Sequence, residues 1–278
     1  MLRTVWLIAA LAVISIPVAA IVIRHDVSKE KYLVKEAHPA FVDMRHEGHG
    51  MLIAPEWVVT AAHVIFYDYK GKNITVGGKE REIEYVIFHP GYSTPTEGLF
   101  SGHSTPSQAY LRANHDIALV KLREPVGDVA PILLYENADE LGEIVTLYGR
   151  GNTGDGNTGQ VEKTKGALRR AQNVISTVAD HWLTYRFDKG EKALPLEGFQ
   201  GGGDSGGPAI VRKSGTDYLA GLASWNVYDG YLKDFKGSLY GMEASLIRLS
   251  YYRSWIDEVA SWPADRLQAN HNLVGSAS

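Results

Sequence analysis

Short apolar runs separated by turn-forming residues constrain this chain's fold more than any other feature. Met51–Ile53, Trp57–Val59, Tyr85–Phe88, Ile117–Leu122, Ile144–Tyr148, Trp182–Phe187, Pro208–Val211 and Tyr218–Ser224 are all too short for helices. Runs of this length at this spacing predict an all-β sandwich or barrel. Ile117–Leu122 turns polar only at Lys121, as a strand buried over most of its length does. One helix is predicted at the end, where Leu249, Tyr252, Trp255, Ile256 and Val259 recur at three-to-four spacing until Pro263. It reads as a packing helix without chemistry. Residues 263–278 turn polar and are expected to fray. Gly91–Asn114, rich in Ser, Thr, Pro and Gly, and the Gly-rich Gly149–Gly159 read as loops and turns.

The 278 residues suit one large domain or two small ones sharing an interface, and 45% hydrophobic content suffices for a sizeable core. Cysteine is absent, which removes disulfides, a thiol nucleophile and any thiolate zinc site. A net charge of −4 argues against a nucleic-acid partner. Arg3 followed by the apolar run Val5–Ile23 reads as a charged region and apolar core of a signal peptide over residues 1–20, with Val18-Ala-Ala20 as the cleavage site. The rival is an uncleaved anchor, since the run approaches the ~20 residues needed to span a bilayer. Pro17 and the small residues favour cleavage, hence a secreted or periplasmic protein, with membrane contact only if the segment stays uncut.

The sharpest local signal is Gly201-Gly-Gly-Asp-Ser-Gly-Gly-Pro208. Glycines on both sides leave the Ser205 hydroxyl uncovered and let backbone N–H groups converge on one point. A serine hydroxyl needs an adjacent base, and the base needs a group that fixes its tautomer. Trp57-Val-Val-Thr-Ala-Ala-His63 offers an imidazole at a tight strand end, and Asn114-His-Asp-Ile-Ala-Leu119 offers a carboxylate at the mouth of a buried strand. Alone, His63 reads as a satisfied core residue and Asp116 as a turn cap.

Together, Thr60-Ala-Ala-His63, Asp116-Ile-Ala-Leu119 and Gly203-Asp-Ser-Gly-Gly-Pro208 resemble the hallmarks of the chymotrypsin/trypsin family of serine peptidases, in that family's order. Leu52-Ile-Ala-Pro-Glu-Trp57, Gly149-Arg-Gly-Asn-Thr153 and Ser224-Trp225 match lesser features, and the resemblance covers about residues 21–262. It implies two antiparallel β-barrels with a C-terminal helix. The N-terminal barrel is expected over about 39–130, the C-terminal barrel over about 131–248 and the closing helix over about 249–262. The implied activity is endopeptidase hydrolysis through an acyl-enzyme. Ser205 is the implied nucleophile, His63 the base and Asp116 its orienting group, with the N–H groups of Gly203 and Ser205 as oxyanion hole. No cofactor and no metal are implied. The expected partner is a polypeptide substrate, with a protein inhibitor as a second candidate. A disulfide-free bacterial member is the closest picture.

The resemblance carries a further expectation. Cleavage after Ala20 exposes Ile21-Val22, and in the family such a freed α-amine pairs with the aspartate before the serine, here Asp204. Arg24 and His25 stand where the family usually has glycines. For specificity, Phe199 falls at the pocket floor, where no aspartate stands to favour Lys or Arg. Its ring either makes the pocket shallow or rotates out. Ser224, Trp225 and Asn226 offer substrate-binding backbone, and Asn226 narrows the entrance where glycine is frequent. Glu243 and Ala244 fall near the far wall, with Glu243 a remaining attraction for a basic residue. Small or medium apolar side chains therefore rank ahead of basic ones. The Gly91–Asn114 loop either overhangs the cleft or is a solvated insertion. His103 and His115 have no assigned role, His46-Glu-Gly-His49 is a weak metal pattern without a third ligand, and Lys163–Arg170 reads as solvated surface.

Two rivals stand beside this reading. Gly203-Asp-Ser-Gly-Gly207 also fits an α/β-hydrolase elbow with His271 downstream, but Pro208 and the following Ala-Ile-Val strand replace the required helix. A non-catalytic peptide-binding or regulatory module on the same fold is the alternative from another class.

Overall fold

The structure, a computed structural model, describes residues 21–161 and 166–272. The leader assigned to residues 1–20 lies outside them. The chain enters as β1 (Ile21–Ile23) and then builds β2 (Phe41–Asp43), β3 (His49–Ala54), β4 (Trp57–Thr60), β5 (Asn73–Val76) and β6 (Lys79–Phe88). Helix α1 (Thr105–Ala113) precedes β7 (Ala118–Leu122). These six strands close a barrel in the order β2-β3-β4-β7-β6-β5, every neighbour antiparallel. Closure leaves no free edge. Gly77 and Gly78, at φ +58° and +75°, make the two-residue turn that matches strand twist between β5 and β6. Val58, Val59, Leu119 and Val120 are unexposed on both faces of their strands, Leu119 turning outward toward Ile256 of the terminal helix.

A short β8 (Leu133–Leu134) lies parallel on the edge of the second barrel. That barrel contains β9 (Ile144–Gly149), β12 (Arg169–Ala179), β13 (Trp182–Arg186), β15 (Pro208–Lys213), β16 (Thr216–Val227) and β17 (Glu243–Arg248). The order is β15-β9-β12-β13-β17-β16, with β15 pairing β16 to complete the ring. Two closed six-stranded barrels and a terminal helix are the chymotrypsin fold. Packed on the second barrel, β10 (Thr153–Asp155), β11 (Gly159–Val161) and β14 (Gly198–Phe199) join β1 in a small sheet ordered β11-β10-β1-β14.

Helix α2 (Leu249–Ala260) follows the apolar spacing and buries Leu249, Tyr252, Ile256 and Val259. Each such side chain contributes about 1.5–3 kcal/mol. The structure departs from three expectations. The tail continues as α3 (Ala264–Asn270), anchored by buried Leu267 and by Val86 N–H donating to His271 Nδ1 at 2.9 Å. Residues 91–114 contain α1, and residues 149–159 contain a strand pairing made possible by β1 alongside. Among the described residues no helix is long and apolar enough to cross a membrane.

Candidate active site

His63 sits one turn beyond β4, where the small side chains of Ala61 and Ala62 let the chain tighten at the barrel rim. Asp116 immediately precedes β7, which pairs with β4, so strand register alone brings the two residues together. Asp116 Oδ1 accepts the His63 backbone N–H at 2.9 Å, and Oδ2 lies 2.7 Å from His63 Nδ1. Ser205 arrives from the second barrel, its Oγ 2.8 Å from His63 Nε2. Burial lowers the His63 pKa, but the charge and hydrogen bond of Asp116 more than offset it, leaving the imidazole above its ordinary value.

The Ser205 loop is fixed by close backbone approach. Gly206, at φ +72°, would place a Cβ 2.1 Å from the His49 carbonyl oxygen. The Gly206 N–H donates to Ala223 O at 2.7 Å, and His49 N–H donates to Ser205 O at 2.8 Å. Gly203 sits at φ +87°, a left-handed conformation that glycine adopts without strain, while its neighbours' N–H groups are held by Gln160 Oε1 and Gly201 O. Among the described residues the Gly203 and Ser205 N–H groups meet no acceptor.

Asp204 is buried beneath this loop. Its carboxylate accepts from Gly151 N–H at 2.7 Å, from Gly201 N–H at 2.9 Å and from the Ile21 backbone N–H. Desolvation nonetheless holds its pKa above the ordinary carboxylate value. Ile21 is 1% exposed at φ +60°, and its carbonyl accepts from Arg169 Nη1 at 3.0 Å. Arg169 was expected on a solvated surface; instead β1 covers it, and burial lowers its pKa against the pull of Asp204. Arg24 pairs with Asp26 and donates to Leu194 O at 3.0 Å, while His25 N–H donates to the Tyr240 hydroxyl.

Of the two placements expected for Phe199, the ring takes the one turned away from the pocket, so it is not a substrate-binding surface. It is fully buried against Tyr185 and Phe187, so its ring belongs to the second core and offers the cleft no surface. Gln200, next along, is buried as well: Nε2 donates to Asn226 Oδ1 at 3.1 Å, and Oε1 accepts from the Tyr185 hydroxyl at 3.3 Å. Ala244 is buried in the pairing of β17 with β16, and Glu243 lines a separate groove with Arg112 and Trp182. Ser224 Oγ donates to Asp116 Oδ2, and Trp225 packs edge-on against Trp182. Sequence reasoning missed Arg169, Gln200 and Gln108, whose Nε2 donates to Asn226 O at 3.2 Å. Gln200 borders the Gly201–Pro208 string, the one signal that pointed toward it.

The remaining histidines disperse. His46 bonds to the Tyr67 hydroxyl, while His49 accepts the Arg150 N–H at 3.1 Å. His271 has both ring nitrogens engaged, by Asp68 and by the Val86 N–H, and neither by the serine loop. His115 stacks between His89 and His181, with ring centroids 4.5 and 4.3 Å away.

A family model described as Trypsin matches residues 32–256. The suppressor of tumorigenicity 14 protein homolog of Bos taurus is 26% identical over 253 residues, covering 78% of this chain and 26% of that protein. The chain thus spans about a quarter of that relative's length.

Proposed function

Because the chain belongs to the Trypsin family, whose membership supports a peptidase hydrolase, we propose that it is a serine endopeptidase acting through Ser205, His63 and Asp116. The contact that carries the reading is the continuous chain Ser205 Oγ–His63 Nε2 and His63 Nδ1–Asp116 Oδ2, at 2.8 and 2.7 Å. Ser205 Oγ attacks the scissile carbonyl while His63 Nε2 takes its proton. The oxyanion is received by the unengaged N–H groups of Gly203 and Ser205. His63 then returns the proton to the leaving amine, giving an acyl-enzyme. Water, deprotonated by the same imidazole, releases the acid and restores the serine. Asp116 holds the Nδ1–H tautomer and stabilises the imidazolium without taking the proton.

In this reading the polypeptide is exported, secreted or periplasmic, and loses residues 1–20. The freed Ile21 α-amine takes over the place of the buried N–H on Asp204 and becomes its counter-ion. The one-per-cent exposure of Ile21 and the raised pKa of an under-compensated Asp204 support this.

Labelling with a small fluorophosphonate tests the chemistry. The expected result is an adduct on Ser205 that disappears in His63→Ala; no adduct on folded protein refutes the peptidase reading.

A further inference from the structure

An extended substrate pairing with the Ser224–Asn226 segment advances about 3.3 Å per residue, with side chains alternating between opposite faces. The residue at the scissile bond and the one upstream therefore meet different walls. On one face the Gln200 and Asn226 carboxamides are joined at 3.1 Å, and Gln200 is braced by Tyr185. On the other lies a cavity of about 260 Å³ walled by His63, Tyr92, Phe100, Tyr110, Leu111 and Trp225.

That cavity is built by the insertion. Asn114 Nδ2 donates to the Tyr110 hydroxyl at 3.0 Å and to Ser93 O at 3.1 Å, and its Oδ1 accepts the Ser93 N–H at 2.8 Å. Tyr92 stacks on Phe88, and Phe100 meets Tyr110 edge-on. The insertion also crosses to the second barrel. Ser104 N–H donates to Gly230 O and Leu232 N–H to Gly102 O, both at 2.8 Å. The Gly230 N–H returns a bond to Ser104 Oγ at 3.1 Å. Beside this strap, Gln108 Nε2 engages the Asn226 carbonyl at 3.2 Å, where the amide of a third upstream substrate residue would dock.

We propose that the enzyme selects peptides at the second residue upstream of the scissile bond rather than at the first. A bulky apolar side chain there fills the cavity under Tyr92, Phe100 and Tyr110. The Gln200–Asn226 bridge admits only a small side chain at the bond itself. Backbone pairing stops at the second residue because Gln108 occupies the Asn226 carbonyl, and residues further upstream leave the cleft unpaired. The inference rests on the serine-peptidase reading above.

The test is a set of acetylated p-nitroanilides ending in Ala, with one to four residues before the cleaved bond and Phe at the second position. The second residue is expected to raise kcat/KM by at least about tenfold, and the third and fourth by less than about threefold each. Replacing that Phe by Gly should cost about tenfold or more, with a smaller loss in Phe100→Ala, whose ring is half exposed and whose removal spares the core. Gln108→Ala should let the third residue raise kcat/KM. A tenfold gain from the third residue in the unmodified protein, or an unchanged length profile in Gln108→Ala, overturns the proposal. Fluorophosphonate labelling in the same samples separates the failures. Labelled Ser205 with no selectivity at the second residue, or with none of the peptides cleaved, sinks this inference alone. Unlabelled Ser205 sinks the peptidase reading beneath it.

Discussion

Ser224 and Asp116 meet across the barrel interface, with Ser224 Oγ donating at 2.5 Å to the same carboxylate oxygen that faces His63 Nδ1. One barrel thus supplies the carboxylate and the other a hydrogen bond that shares its charge. Removing that donor in Ser224→Ala concentrates the charge on His63. The expected outcome is a several-fold fall in kcat/KM with the acid limb of its pH profile moved upward, at roughly the ~1 kcal/mol scale of one hydrogen bond. A merely structural role for Ser224 would lower stability and leave the limb in place.

The pH profile of the unmodified protein follows from the same pair. General-base action needs neutral His63, whose pKa lies above its ordinary 6.5 because Asp116 outweighs burial. Activity should therefore rise with pH through a midpoint above 6.5. In Asp116→Asn the raising charge is gone. The limb should move down while kcat falls by about 10³–10⁴. Steady-state kinetics between pH 5 and pH 8.5 check both.

At the alkaline end, the proposed ion pair of Ile21 with Asp204 sets a second limit. An α-amine titrates ordinarily near ~8 and rises when it gains a buried carboxylate partner. Activity should then fade reversibly above that value as the amine loses its proton. Mass spectrometry of the exported protein should find Ile21 at the N-terminus, and acetylating that amine should abolish turnover. Any other start, or full activity after acetylation, removes the proposal.

The stack of His89, His115 and His181 joins the first barrel, the β12–β13 turn and α2. His115 Nδ1 meets the Tyr252 hydroxyl at 2.9 Å, and His181 Nε2 lies 3.2 Å from Asn114 O. Trp255 and Tyr251 close its sides, and Asp180 is the charged group nearest His181. Burial, then the neighbouring imidazoles, lower His89 to about 4, and burial lowers His115 and His181 as well. A depressed histidine binds protons more readily when unfolded. Stability is therefore full above the unfolded value near 6.5 and is lost as pH falls from there towards about 4. Thermal unfolding should show Tm dropping over that window, with a shallower drop in His89→Phe. An unchanged slope would count against the stack.

Much of this site was legible because its signals are local. His63, Asp116 and Ser205 each sit in a short string with recognisable neighbours, and the strands announce themselves by apolar runs. Arg169 was not legible. Its surroundings in sequence are basic and polar, and only β1, far away in the chain, buries it. Gln108 and Gln200 escaped for the same reason, since the Asn226 they share lies distant from Gln108 and outside any pattern. Helix α1 was hidden by a Ser-, Thr- and Pro-rich composition, its Pro106 standing in the first turn where a missing N–H costs nothing. Phe199 could not be decided from sequence: of its two expected placements, the aromatic cluster of Tyr185 and Phe187 selects the one with the ring turned inward.

The barrels are tied to each other by His49 N–H to Ser205 O, by the Gly102–Ser104 strap and by the histidine stack, in a chain with no cysteine. None of these ties contains a bond that a thiol can cleave. The protein should accordingly be indifferent to the redox poise around it, working alike in millimolar reductant and in air. Acid or heat, rather than reduction, should be what separates its halves.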